Sequence, residues 1–293
     1  MRRAIIKTVK PPQTLREDPP REPADATPGT ITGVARQYGD VAAIYDALMA
    51  TVPHQAWLNR IEEIVRDRGK RPRTALDVAC GTGLSTQLLV DHGYQPVVGV
   101  DLSLAMVSVA RTKALARDLR PPLVRFECQD AAHLDLPGER FDLIISLFDS
   151  LNYILDPTDL RSAFHRVFAH TNPGGLFAFD LNALYALATD LFSQSGADGP
   201  IRHHWKAHWD PTARLCRVEM DFWVRDSSEE DEQDNRSVRH FHETHLQRAY
   251  TTTEITEWLT EAGWTNIAAF GNYGKRPPGP RSDRLLFVAE RPL

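Results

Sequence analysis

Between Ala75 and Met106 the chain runs through a strand, a glycine turn, a helix and a second strand, an order that few folds accommodate. Ala75 and Leu76 lead to an acid at Asp77, the backbone breaks at Cys80-Gly81-Thr82-Gly83, and Val97-Val98-Gly99-Val100 then ends on Asp101. Glycine has no Cβ, so the backbone there can turn sharply into a helix and approach a bulky ligand closely. A carboxylate at the tip of the second strand can accept hydrogen bonds from both hydroxyls of a ribose. The unit therefore reads as a pocket for an adenosine-containing ligand at the carboxyl edge of a parallel sheet.

The choice of ligand turns on departures from the dinucleotide pattern. A dinucleotide site carries a third glycine three residues after the second, where the helix packs on the strand and a diphosphate sits at its amino end. Here that position is Thr86, and Asp77, ahead of the first glycine, would set negative charge close to the diphosphate. The acid suits a ligand with an ammonium group instead. S-adenosylmethionine has an adenosine, no phosphate, a sulfonium and an amino acid tail, and it meets these conditions.

The segment Leu76-Asp77-Val78-Ala79-Cys80-Gly81-Thr82-Gly83, followed by Val100-Asp101-Leu102-Ser103 and Met106, resembles the first two motifs of the class I S-adenosylmethionine-dependent methyltransferases. Phe126-Glu127-Cys128-Gln129-Asp130-Ala131 resembles the family's third element, Phe141 to Leu147 its fourth strand, and Pro173-Gly174-Gly175 the turn that opens its fifth. The resemblance covers residues 36 to 182 and resumes near residue 250. It implies an α/β fold with a Rossmann-like, doubly wound, mostly parallel sheet whose last strand is reversed. It also implies S-adenosyl-L-methionine as cofactor, held by Tyr45, Asp77, Ala79, Gly81, Thr82, Gly83, Asp101, Leu102, Met106, Asp130, Ala131 and Leu147. Within that set, Asp130 and Ala131 would meet the adenine edge, Leu147 the amino acid tail, and Tyr45 would cover the cofactor.

Alternating strands and helices agree with a parallel sheet wound on both faces. Residues 1–34, rich in proline and charge, are expected to form a disordered tail. From Ala35, the recurrence of Tyr38, Val41, Ala42, Tyr45 and Leu48 predicts an amphipathic helix, and Trp57, Leu58, Ile61, Ile64 and Val65 predict a second. The core then occupies 35–182 and 251–293, with an insertion over 183–250. In that insertion Arg217 to Arg225 and His240 to Tyr250 alternate as half-buried antiparallel strands, and Trp205 to Trp209 adds a third. An acidic run from Asp226 to Arg236 reads as a solvated hairpin tip. Thr251 with Glu254 forms a capping box that opens a helix.

Methyl transfer from a sulfonium demands alignment and exclusion of water more than any particular side chain, so no universal catalytic residue exists to search for. The loop after the fourth strand supplies Asp149, Asn152 and Tyr153 as acceptor-facing candidates, and the insertion supplies Trp205 and Arg248. His242, His245 and Tyr250 are candidate proton acceptors. His240 and His242 share one strand face while His245 points oppositely, so no metal site is expected. As an antiparallel β lid for the substrate, the insertion resembles that of secondary-metabolism methyltransferases, including amino-sugar N-methyltransferases. A small-molecule acceptor is therefore expected, methylated on nitrogen ahead of oxygen because no emphatic base stands out. A net charge of -5 disfavours a polyanion partner. An RNA or protein methyltransferase, an NAD-dependent oxidoreductase and a non-catalytic cofactor binder stay open as alternatives, as does a homodimer. Three scattered cysteines and no apolar run of membrane-spanning length lead to an expected cytoplasmic setting without a membrane partner.

Overall fold

Residues 38–225 and 238–293 are described by a computed structural model. The tail expected over 1–34 and the hairpin tip expected over 226–236 lie outside these residues. After a 3-10 turn at Val41–Ala43, the chain forms α1 (Tyr45–Leu48), α2 (His54–Asp67), β1 (Ala75–Val78), α3 (Leu84–Asp91), β2 (Val97–Asp101) and α4 (Leu104–Ala116). It continues through β3 (Val124–Cys128), β4 (Phe141–Ser146), α5 (Pro157–Ala169) and β5 (Thr171–Asn182). A second group follows, with α6 (Leu184–Ala188), β6 (Gln194–Asp198), β7 (Ile201–Asp210), β8 (Leu215–Arg225) and β9 (Val238–Arg248). The chain closes with α7 (Thr252–Glu261), β10 (Thr265–Gly271) and β11 (Arg284–Glu290).

Seven strands form one sheet in the order β10-β11-β5-β4-β1-β2-β3. β1 to β5 run parallel, whereas β11 lies antiparallel between β5 and β10, so the last strand is reversed. Both faces are covered, which is why the central strands read as nearly unbroken apolar runs. Leu76, Val98, Ile144 and Phe177 meet Leu160 and Phe164 of α5 and Leu259 of α7 on one side. Ala75, Val97, Leu143 and Ala178 meet Leu58 and Ile61 of α2, Leu89 of α3 and Val107 of α4 on the other. α4, α5 and α7 begin where short polar side chains satisfy free amides: Ser103 accepts from Met106, Asp156 from Thr158, and Thr251 with Glu254 completes the expected capping box.

The second sheet has four antiparallel strands in the order β6-β7-β8-β9, one more than the alternation pattern predicts. Cys216, Val218, Met220 and Phe222 of β8 turn inward onto Val41, Ile44 and Leu187. The helix expected from Ala35 differs from the structure, whose described part has only a 3-10 turn and the short α1. The reason is a competing set of hydrogen bonds. Glu243 of β9 accepts from the backbone amides of Tyr38, at 3.0 Å, and Val41, at 3.1 Å, so the second sheet holds this segment in place of an internal helical ladder. Among the described residues no helix is long and apolar enough to cross a membrane.

Candidate functional site

At the carboxyl edge of the main sheet, the chain leaves β1 through three left-handed residues, Ala79, Gly81 and Gly83, with φ of 57°, 54° and 77°. Gly83 cannot carry a side chain, since a Cβ there would stand 2.9 Å from the Phe126 ring. Gly81 serves differently: a Cβ there would meet no protein atom within 4 Å, because the residue borders open space. That space is a cavity of about 130 Å³, walled by Tyr45, Ala79, Gly81, Asp101, Leu102, Met106, Asp130 and Ala131 among others. A smaller one of about 30 Å³ is walled by Asp77, Thr82 and Leu147. Tyr45, Ala79, Gly81, Phe148 and Ser150 border both, so the two adjoin. Every residue expected to hold a cofactor borders one or the other except Gly83, which shapes the turn from behind.

The acids in this edge are held rather than loose. Asp101 accepts the amides of Gly81 and Ser103, each at 2.8 Å, and burial pushes its pKa up. Asp130 accepts the Ala132 amide at 2.9 Å and so caps the turn after β3. Asp77 is fully buried and accepts the Thr86 hydroxyl at 2.7 Å, which accounts for threonine where a dinucleotide site has glycine. Burial raises the Asp77 pKa to about 7, with Thr86 opposing and Asp101 adding to the rise. Tyr45 is fixed over the cavity through its neighbour Asp46, which accepts the Thr82 hydroxyl at 2.5 Å and pairs with Lys113 of α4.

The larger cavity is also walled by Tyr38, Tyr153 and Phe148. The Tyr38 ring meets those of Tyr45 and Tyr153 at 5.8 and 5.5 Å between centroids. Tyr153 is the first member of a line of hydrogen bonds: its hydroxyl lies 3.0 Å from His245 Nδ1, and His245 Nε2 lies 2.8 Å from Glu243. Burial works against ionisation of Glu243, but His245 and the Val41 and Tyr38 amides outweigh it and hold the carboxyl below its usual range. An ionised carboxylate only accepts, so Nε2 carries the proton of neutral His245, Nδ1 is the acceptor, and the Tyr153 hydroxyl donates to it.

Several residues expected to face an acceptor are used as scaffold. Phe148 and Asp149 are both left-handed, at φ of 63° and 51°, and this double turn reverses the strand alternation. Phe148 and Ser150 therefore border the cavity, while Asp149 is buried beneath it, bonded to Arg284 at 2.8 Å and Gln247 at 2.6 Å. Arg284 also pairs with Asp180 and lies 4.9 Å over the Trp57 ring and 5.1 Å over Phe148. Asn152 is fully buried, bridging Asn182 and the Arg248 carbonyl. Arg248 reaches the Leu155 carbonyl, and Trp205 packs on Phe222 inside the second sheet. Of the proposed proton acceptors, His242 is exposed and bonded to Asp221, and Tyr250 is buried and donates to the Ile154 carbonyl. His245 meets the Tyr153 hydroxyl and Tyr250 the Ile154 carbonyl, both on residues that border the larger cavity. Among the described residues no cluster of histidine, cysteine or carboxylate side chains is arranged to hold a metal. Sequence reasoning passed over His54, Gln129, Phe148, Ser150, Ile154 and Glu243. Phe148 and Ser150 sit in the loop it selected, and Glu243 shares the inward face of its strand with His245.

A methyltransferase domain family matches residues 75–175. A protein of Geobacillus sp. (strain WCH70) named as a methyltransferase is 30% identical over 258 residues, covering 87% of this chain and 99% of the relative. The crystal structure of an S-adenosylmethionine-dependent methyltransferase from Clostridium acetobutylicum ATCC 824 superposes with a TM-score of 0.74 at 30% identity, covering 87% of this chain and 99% of that one. The chain belongs to the S-adenosylmethionine-dependent methyltransferases. Another relative, the dTDP-4-amino-2,3,4,6-tetradeoxy-D-glucose N,N-dimethyltransferase of Saccharopolyspora spinosa, is 28% identical over 260 residues, covering 86% of this chain and 93% of that protein. The cofactor of this methyltransferase is S-adenosyl-L-methionine, and the nicotinamide alternative falls away. Its pocket fits such a group: the glycine turn leaves open space beside Gly81, Asp101 stands at the tip of β2, and no lysine or arginine among the described residues borders either cavity to receive a diphosphate.

Proposed function

We propose that this methyltransferase methylates a nitrogen atom of a small molecule, an amine that enters beneath the second sheet acting as a lid. In this reading Asp101 takes the ribose hydroxyls, Asp130 and Ala131 the adenine edge, and Asp77 the ammonium of the amino acid tail. The observation that carries the choice of acceptor is the composition of the cavity wall. Beyond the residues that the cofactor takes up, Tyr38, Tyr153 and Phe148 border the cavity with aromatic rings, and no lysine or arginine among the described residues borders it. Ring faces attract a cationic amine, and a wall without lysine or arginine offers nothing to bind a phosphate at the reacting end of the acceptor. An RNA backbone is a poor match for such a wall. The Saccharopolyspora relative is, by its name, an amino-sugar N,N-dimethyltransferase, which agrees in acceptor chemistry.

Bound cofactor supplies an activated methyl group and leaves as a thioether, so the protein's work is alignment and proton removal. An amine drawn in as its ammonium must lose a proton before its lone pair can attack. In this reading Tyr153 takes that proton while passing its own to His245 Nδ1, and Glu243 stabilises the resulting imidazolium; the bonds from Tyr153 to His245 and from His245 to Glu243 support it. Burial raises the Tyr153 pKa, so the phenol works as a conduit that stays protonated between turnovers. The test is incubation with methyl-labelled cofactor and a panel of amino sugars as dTDP conjugates, free small amines, phenols, RNA oligonucleotides and peptides, with products read by mass spectrometry. Label on an amine nitrogen is expected. Label confined to oxygen, RNA or peptide would refute the reading.

A further inference from the structure

The smaller cavity, which adjoins Asp77, has a second polar feature that its neighbours leave unexplained. His54, at the amino end of α2, borders it, and neither ring nitrogen has a hydrogen-bond partner among the described residues although both are buried from solvent. Its ring is set edgewise against Trp57 at 5.7 Å and tilted against Phe148 at 5.8 Å, so apolar contacts fix its position while the nitrogens stay unused. Buried polar groups without partners are rare in folded proteins and call for an explanation. Two of the hydroxyls nearby are engaged: Thr82 donates to Asp46 and Ser150 to the Leu147 carbonyl. Among the described residues that wall this cavity, His54 is the one nitrogen-bearing side chain able to donate to an anion.

We propose that His54 is the hydrogen-bond donor for the carboxylate of the cofactor's amino acid tail, facing Asp77, which takes the ammonium. This rests on the cofactor reading of the pocket given above. The two ends of a zwitterion need opposite partners, and the cavity provides one acid and one imidazole on its wall. Asp180, Arg284, Asp46 and Lys113 surround His54, so the charges on either side of it largely balance, and burial lowers its pKa. A neutral imidazole remains a competent donor through its single N–H.

S-adenosylhomocysteine keeps the amino acid tail, whereas 5′-methylthioadenosine shares the adenosine and lacks the tail. Calorimetric titration of the wild-type, His54→Phe and His54→Gln proteins with both compounds isolates the tail contact. His54→Phe is expected to weaken S-adenosylhomocysteine about 10- to 100-fold, the range for a hydrogen bond to a charged group, and to leave methylthioadenosine within about twofold. His54→Gln, which keeps a donor, is expected to recover part of the loss. Unchanged homocysteine-form binding in both variants, or equal weakening of the two ligands in both, overturns the assignment. Neither compound involves a methyl acceptor, so its failure leaves the amine reading untouched. Failure of the wild-type protein to bind either compound would strike the cofactor pocket itself.

Discussion

Asp77 offers a direct measure of what the cofactor pocket costs the fold. It is 1% exposed, its side-chain partner among the described residues is the Thr86 hydroxyl, and burial raises its pKa to about 7 from an ordinary value of 3.8. The folded protein thus holds this proton more tightly than the unfolded chain does. Between 3.8 and about 7 unfolding releases a proton, so stability falls as pH rises through that window. The contribution is fully present below 3.8 and gone above about 7. At about 1.4 kcal/mol per pKa unit, the part lost between pH 5.5 and 7 is ~2 kcal/mol.

Asp77→Asn removes the titration while keeping an oxygen to accept from Thr86. Urea unfolding followed by circular dichroism at pH 5.5 and 8.0 then gives two differences. Wild type is expected to lose ~2 kcal/mol more than the variant over that interval. Asp101 and Asp149, whose pKa values burial also raises, occur in both proteins, so the difference between the two keeps only Asp77 and its coupling to Asp101. The same substitution removes the partner proposed for the cofactor's ammonium, so affinity for S-adenosylhomocysteine at pH 8.0 should drop about tenfold or more. The variant is therefore expected to be the better folded protein at pH 8.0 and the poorer binder. Parallel loss of stability in both proteins would refute the argument that Asp77 is kept ionised at the expense of the fold.

Tyr153→Phe should lower kcat for an amine acceptor about 100-fold with little change in S-adenosylhomocysteine affinity, because it cuts the proton path and leaves the cavity wall in place. Glu243→Gln withdraws the carboxylate bonded to His245 Nε2 and should lower kcat for an amine acceptor; an unchanged kcat would remove His245 from the path. Gly83→Ala combines a left-handed backbone with a 2.9 Å approach to the Phe126 ring and should cost ~2 kcal/mol or more in unfolding experiments. Gly81→Ala, free of that collision, should cost less stability and more cofactor affinity, which calorimetry would separate.

The parallel sheet and its pocket were legible because their determinants are local. Asp77, the glycine turn and Asp101 lie within one βαβ unit, and each acts through backbone geometry that a residue type announces. The acceptor side was not local. Asp149 looked like the acid of the loop after β4, yet its partner Arg284 is 135 residues away, and the double left-handed turn that buries it falls on Phe148 and Asp149, neither a glycine nor an asparagine. Alternation cannot be carried through a turn that no residue signals.

The line from Tyr153 through His245 to Glu243 was half visible, since alternation along β9 puts Glu243, His245 and Gln247 on one face and His240, His242 and Thr244 on the other. What alternation alone does not decide is which face goes in. The exposed row carries the histidines bonded to Asp221, and the inward row is also polar: Glu243, His245 and Gln247 are all buried. Burying such groups is costly unless each has a partner, so a strand with polar residues on both faces has to be matched by polar groups elsewhere in the chain. Here they are Tyr153, Asp149 and Asn182, drawn from the loop after β4 and the end of β5. The polar inward face of β9 therefore ties the second sheet to the loop after β4 and to the end of β5, and a substitution that made this face apolar would leave buried Tyr153, Asp149 and Asn182 short of partners and destabilise the fold.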